Sequence, residues 1–351
     1  MSNQRPTMKD VARRAGVALK TVSRVVNGEA GVTAATAGRV QGAIEELGFR
    51  RNESARLLRT GRTATLGFIA EDTADPDQAA VYRGLEEAVA ELGFLLYSGS
   101  TDGDPAREER LALALCARRV DGMVIVPAAA DHRYLVAEIE AGVAAVFALR
   151  PPAVTGPETA LGYGTLGGNV LGGTVLGDTV VIDERGGANA AVKHLIAHGH
   201  SRIGYLGGHP SAPGAPGGYR SRQLLLGYSE AMAAAGLRME QAWTALTPGQ
   251  LAGAGVTAVL CGSRAHTAQA LHALAGRGRA PRMAVIGFGD FELADLMPTG
   301  ITVISYDPAG IGRAAGELLA RRLAGDDAPP RLVELPVRLI PRGSAEFPPE
   351  E

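Results

Sequence analysis

Residues 7–27 read TMKDVARRAGVALKTVSRVVN, and the organisation of the whole 351-residue chain follows from how this stretch folds. Thr7 with Asp10 three residues on makes a capping-box-like helix start, with Asp where Glu or Gln is preferred. Val11, Ala12 and Ala15 give the first helix an apolar stripe, and Gly16 supplies a sharp turn. The second helix, 19–27, sorts by face at 3.6 residues per turn. Val22, Val25 and Val26 lie on one side; Leu19, Lys20, Ser23, Arg24 and Asn27 lie on the other, with Thr21 at its margin. A short helix, a Gly turn and a helix with one apolar and one donor-rich face is the helix-turn-helix pattern, whose second helix enters the major groove. An ordinary helical hairpin with a solvated polar face has the same periodicity.

Charge favours the first reading, although a basic head also suits a membrane surface or an acidic protein. The net charge of −2 hides a partition: residues 1–62 hold 12 Lys/Arg against 5 Asp/Glu, and the remainder holds 23 against 32. A basic head on an acidic body suits DNA binding, because phosphate contacts supply most of the sequence-independent affinity. A third helix is expected over 33–47, capped by Thr33 and ended by Gly48, with Val40, Ile44 and Leu47 closing a three-helix core on Val11 and Val22. Residues 49–62, FRRNESARLLRTGR, form an Arg-rich linker with room for about two helical turns over 52–59.

From residue 65 the texture becomes short apolar runs alternating with helices, which means βαβ units and parallel sheets with ligands at the carboxyl ends of strands. One series covers 66–149, and a second begins near Gly187 and ends with a strand over 331–340. Two doubly wound blocks fit two α/β lobes with a cleft between them. Between 166 and 180 the chain reads LGGNV, LGGTV, LGDTV, three copies of one pentapeptide. Lacking a Lys-Ser/Thr ending and a strand–turn–helix frame, it reads as a Gly-rich surface loop inserted over 153–178 in front of a strand at 179–183, not as a phosphate loop.

The quoted headpiece, with VT..T at 32–36 and LGF.RN at 47–52, resembles the lactose/galactose-repressor family, and the likeness continues from about residue 7 to 343. It implies a helix-turn-helix headpiece (1–48), a hinge helix (49–62) and a periplasmic-binding-protein-like effector and dimerisation domain (63–345). The chain then crosses between lobes near Asp183, Ser305 and Leu339, giving an N-lobe of about 63–182 and 306–325 and a C-lobe of about 183–305 and 326–345. The partners implied are a pseudo-palindromic double-stranded DNA operator, a small-molecule effector and a second copy of the chain. No cofactor or metal is implied.

Base reading falls to Arg24, bidentate to guanine, to Lys20, and to Leu19 against a thymine methyl. Thr21, Ser23 and Asn27 are candidates for phosphate contacts that position the module, and the helix-capping Thr7 and Thr33 are also DNA-binding candidates. In the hinge, the resemblance assigns minor-groove contacts to Asn52, Ala55, Leu58 and Arg59, with Leu58 as the wedge. The chain departs from the family at Ala18, where a polar cap is usual, and at Arg51, where Pro is usual.

The cleft departs further. Leu224 stands where carbohydrate-binding members carry Arg, Ser263-Arg264 where they carry Asn-Asp, Gly289 where they carry Asp, and Leu149 where Asp precedes Arg150. With these hydroxyl-pairing groups gone, the cleft is expected not to bind a simple neutral hexose but a different, less polar ligand, or none. Asp72, Arg150, Asp183, Arg222, Ser263 and Asp290 are the polar candidates left for effector binding; each also suits a structural strand-end role.

Other classes fit poorly. MSNQRPTMKD has no apolar run, so the chain reads as cytoplasmic, without a membrane segment. Cys116 and Cys261 lack metal-ligand spacing and read as buried thiols. His194, His198 and His200 cluster as KHLIAHGH with no carboxylate spacing for metal or base chemistry, and no nucleophile elbow is present, so the chain is not read as an enzyme. The competing readings are a stand-alone small-molecule binding protein of periplasmic type and an effector-independent regulator; the basic head opposes the first. The tail after Gly343 lacks apolar heptads, which opposes a lactose-repressor-like tetramer.

Overall fold

A computed structural model describes residues 6–49, 62–129, 131–152, 176–207, 218–275 and 282–350. The chain divides into two compact units, 1–63 and 64–351.

In the first unit, α1 (Met8–Ala15), α2 (Leu19–Val26) and α3 (Ala34–Leu47) follow from their caps. Asp10 reaches back to accept from the Thr7 amide at 2.9 Å and its hydroxyl at 2.6 Å, satisfying donors that the first helical turn leaves free. Gly16 and Gly48 close α1 and α3 in the left-handed region, at φ 64° and 61°. Val11, Ala15, Val22, Val40, Ala43 and Phe49 form the buried core, with Ile44 and Leu47 half-buried against it. Each buried Val or Phe contributes roughly 1.5–3 kcal/mol relative to exposure. Phe49 therefore belongs to the headpiece rather than to the linker expected to start there: α3 ends at Gly48, and the next ring turns back onto the core.

The second unit holds two sheets. The N-lobe sheet has six parallel strands: β1 (Thr65–Ala70), β2 (Leu95–Ser100), β3 (Gly122–Ile125), β4 (Ala144–Ala148), β5 (Asp178–Ile182) and β10 (Leu332–Leu335), in the order β10-β5-β4-β3-β1-β2. The C-lobe sheet orders β11 (Arg338–Ile340), β9 (Thr302–Ser305), β8 (Ala284–Phe288), β7 (Ala258–Cys261) and β6 (Ile203–Leu206), with only β11 antiparallel. Inner strands such as β3, β5 and β8 are buried residue by residue, as strands covered by helices on both faces must be.

The N-lobe carries helices α4 (Pro76–Ala90), α5 (Pro105–Ala117), α6 (Val136–Glu140) and α10 (Pro308–Leu323); the C-lobe carries α7 (Glu184–Ala197), α8 (Gly218–Ala234) and α9 (Arg264–Ala275). Helices α4 and α10 pack backbone to backbone through glycines. A Cβ on Gly84 would lie 1.9 Å from the Ala309 carbonyl oxygen, and one on Gly312 equally close to that of Val81.

Two expectations change. The run 331–340 is two strands in different lobes, because Pro336 has no N–H to continue a ladder. The third crossing thus falls at residues 336–337, and the segment from 326 to Leu335 belongs to the N-lobe rather than the C-lobe. The third pentapeptide copy is also not loop. Leu176 is buried among N-lobe side chains, and Asp178 opens β5 with a bidentate pair to Arg322 at 2.8 Å on each oxygen. Residues 153–175, with the other copies, lie outside the described residues.

Candidate nucleic-acid interface and interlobe cleft

Helix α2 presents Leu19, 44% exposed, and Lys20, exposed, while Val22 on the opposite side is fully buried. Arg24 lies four residues from Lys20 on the same face and is half-buried, with Thr21, Ser23 and Asn27 beside it. The Asn27 side chain donates to Glu29 Oε1 at 2.8 Å. Ala18 occupies the N-cap of α2 in extended geometry with no side-chain acceptor, so no side chain at the cap accepts from a first-turn amide. Thr7 and Thr33 are exposed N-caps of α1 and α3, and Thr33 accepts from the Thr36 amide at 3.4 Å. Asn52, Ala55, Leu58 and Arg59 lie outside the described residues.

In the second unit, the carboxyl ends of β1, β4, β6, β7 and β8 open onto a cavity of about 500 Å³ between the lobes, a volume suited to a small molecule. Of the residues singled out in the sequence, Asp72, Arg150 and Ser263 line it; Asp183, Arg222 and Asp290 do not. Asp183 caps α7, accepting from the Gly186 amide at 2.7 Å. Asp290 pairs with Arg342 at 2.6 and 2.8 Å, and that guanidinium holds its carboxyl below the usual range. Arg222 is half-buried on α8.

The cavity also gathers groups the sequence did not single out. Glu71 pairs with Arg150. Gln78 fixes the β1–α4 turn by accepting from the Glu71 and Asp72 amides at 2.7 and 3.2 Å. Asp75 caps α4, and Ser263 accepts from the His266 amide at 3.2 Å at the start of α9. Tyr205, Phe288 and Tyr306 supply aromatic wall. Burial, reinforced by Arg220, holds the His266 imidazole below its ordinary pKa and therefore neutral near pH 7.

A polar chain crosses the floor. Arg264 Nη2 lies 2.5 Å from Asp77 Oδ1, Tyr306 donates to Asp77 Oδ2 at 2.7 Å, and Arg220 reaches Tyr306 Oη and Glu184 Oε1, each at 3.4 Å. Asp77 is its N-lobe member, while Glu184 and Tyr306 each sit one residue past a lobe crossing. Burial pushes the Glu184 carboxyl up to about 7 against the pull of Arg220. The Arg220 guanidinium stacks over Phe288 and Tyr306, 5.5 and 5.9 Å from the ring centroids.

The positions that depart from the resemblance are built in structurally. Leu224 is fully buried in the core, and Gly289 adopts φ 92°, where a Cβ would meet the Arg264 side chain at 2.9 Å. The histidine cluster ties down the tail: His194 contacts Glu346 at 2.5 Å, and His200 contacts the Phe347 carbonyl at 2.9 Å. Among the described residues no His/Cys/Asp/Glu group could hold a metal, and no helix is long and apolar enough to cross a membrane. Cys261 is buried, its thiol pushed up to about 12 by desolvation, whereas Cys116 is half-buried.

A helix-turn-helix module with an open donor face, followed by a two-lobed domain with a ligand-sized cleft, defines a ligand-responsive transcriptional regulator. Residues 7–52 match the family described as bacterial regulatory proteins, lacI family, and residues 192–345 match a periplasmic binding protein-like domain. The chain is 33% identical to the HTH-type transcriptional regulator PtxS of Pseudomonas plecoglossicida, over 97% of this chain and 96% of that one. It is 30% identical to the HTH-type transcriptional regulator CelR of Thermobifida fusca, over 97% and 98%. In fold it is similar to the lac repressor dimer bound to operator and the anti-inducer ONPF, with a TM-score of 0.77 at 22% identity, covering 97% of this chain and 99% of that one. The chain belongs to the LacI family of bacterial transcriptional regulators, with a DNA-binding headpiece and an effector-binding core.

Proposed function

We propose that the protein is a dimeric repressor of a pseudo-palindromic operator, with each α2 reading one half-site through Leu19, Lys20 and Arg24. The observation that carries this is the face of α2: exposed Leu19 and Lys20 with Arg24 one turn on, opposite a fully buried Val22. Thr7, Thr21, Ser23, Asn27 and Thr33 hold the phosphates, and the hinge residues Asn52, Ala55, Leu58 and Arg59 enter the central minor groove. The related lac repressor structure is a dimer on its operator. Dimerisation is favoured here by apolar groups left open on both lobes: Leu95 (67% exposed) and Tyr97 (49%) on the edge strand β2, and Leu293 (62%) and Leu296 (74%) in the C-lobe.

The interlobe cavity takes a small-molecule effector that biases lobe geometry and so operator affinity. Its charged lining opposes the less polar ligand expected from sequence. A nuclease footprint of the full chain on DNA selected from a random pool tests this reading. A two-fold symmetric protected site is the expected outcome, and an asymmetric or sequence-independent footprint contradicts it.

A further inference from the structure

The cleft walls carry opposite charge. Asp72, Asp75 and Asp77 come from the N-lobe, where the remaining pair Glu71 and Arg150 neutralise each other, and Arg220 and Arg264 come from the C-lobe. The walls meet at the Asp77–Arg264 ion pair, whose side chains are 19% and 23% exposed. Asp72 and Asp75 each accept through Oδ1 from backbone amides of their own turn, from Ala74 and from Asp77 and Gln78. Asp77 is the one of the three that is ion-paired across the cleft, to Arg264, with Tyr306 donating to its other oxygen.

A ligand that parts Asp77 from Arg264 has two partly buried charges to match, and such a charge left without a counter-charge is unfavourable. A neutral ligand leaves both charges unmatched, and an anion or a cation leaves one. A molecule carrying both signs replaces each partner with an equivalent one. The basic wall has spare capacity for an acid group. Both polar contacts of Arg220, to Glu184 and to Tyr306, are long at 3.4 Å. On the same wall the amino end of the 12-residue α9 adds positive potential beside Arg264.

We propose that the effector is a small zwitterion of amino-acid type, its carboxylate on Arg264 and Arg220 and its ammonium on Asp77. This rests on reading the cleft as the effector site. It extends the expectation, drawn from Leu224 and Gly289, that the cleft takes no simple hexose into a positive requirement.

The test uses the full chain with four kinds of probe: the proteinogenic L-amino acids offered singly, gluconate, glucosamine and glucose. Thermal shift reads binding, and a gel shift on the selected operator reads regulation. At least one amino acid raises Tm while the other three probes do not, and Asp77→Asn and Arg264→Gln each weaken that amino acid by about tenfold or more. The double variant D77N/R264Q leaves neither charge buried alone, so it controls for misfolding of a single variant, and it also loses the shift. A comparable shift from glucose, gluconate or glucosamine, an amino-acid shift that survives in the double variant, or no shift with any amino acid overturns the proposal. The two readings fail separately. Glucose that raises Tm and alters operator binding removes the zwitterion and keeps the regulated cleft. An amino acid that raises Tm without altering operator binding does the reverse.

Discussion

Glu184 Oε1 and Arg220 Nε stand 3.4 Å apart, and the carboxylate is 2% exposed. The guanidinium is too distant to repay the desolvation of that carboxylate, so burial dominates and its pKa moves from an ordinary 4.5 to about 7. The folded protein holds this proton more tightly than the unfolded chain does. The resulting stabilisation is fully present below about 4.5 and is lost as pH rises through about 7. The displacement corresponds to roughly 3 kcal/mol. Glu184→Gln is expected to raise Tm near neutral pH and above, and to flatten the dependence across this window. Thermal denaturation of both proteins along a pH series checks it; an unchanged slope contradicts it.

The open cap of α2 is a second point of leverage. Ala18 has the extended backbone of an N-cap, φ −68° and ψ 149°, but no acceptor atom. Ala18→Ser is expected to stabilise the headpiece by about 1 kcal/mol, since a hydroxyl there can accept from a first-turn amide. Hydrogen exchange of the α2 amides measures it: slower exchange is the expected result.

Two glycines in helices should respond oppositely to the same substitution. Gly84→Ala forces a methyl into the Ala309 carbonyl and is expected to cost about 1–3 kcal/mol or more, because neither backbone can yield without separating α4 from α10. Gly38 lies within α3 with open space around it, so Gly38→Ala is expected to stabilise by about 0.5–1 kcal/mol. Urea denaturation of the two variants reads the contrast directly.

The headpiece and the two-lobed plan were legible because their signals are local. Capping at Thr7, turns at Gly16 and Gly48 and the Val11/Val22/Val40 periodicity need no distant partner. Helix α4 starts at Pro76 behind the Asp75 cap, well before the apolar periodicity centred on Val81 and Leu85. The cleft was only half legible. Asp72, Arg150 and Ser263 sit at strand ends, where the topology predicts a site, whereas Asp183 and Asp290 at similar positions are consumed by a helix cap and by Arg342. Asp77, Arg220, Glu184 and Tyr306 carry no sequence signal of their own. They meet only because the chain crosses between lobes beside Asp183 and Ser305 and brings α4 against them. The reverse error occurred at 331–340, where an apolar run crossed a lobe boundary that Pro336 alone marked.

The central claim is that α2 reads base sequence, and Arg24→Ala tests it most directly. Affinity of the full chain and of this variant should be measured over a salt series on the selected operator and on scrambled DNA of equal length. The account predicts that Arg24→Ala costs roughly 1–3 kcal/mol on the operator and much less on scrambled DNA, so that the specificity ratio falls while binding stays steeply salt-dependent. An operator-to-scrambled ratio unchanged by Arg24→Ala, measured with Lys20→Ala alongside and equally without effect, would contradict it.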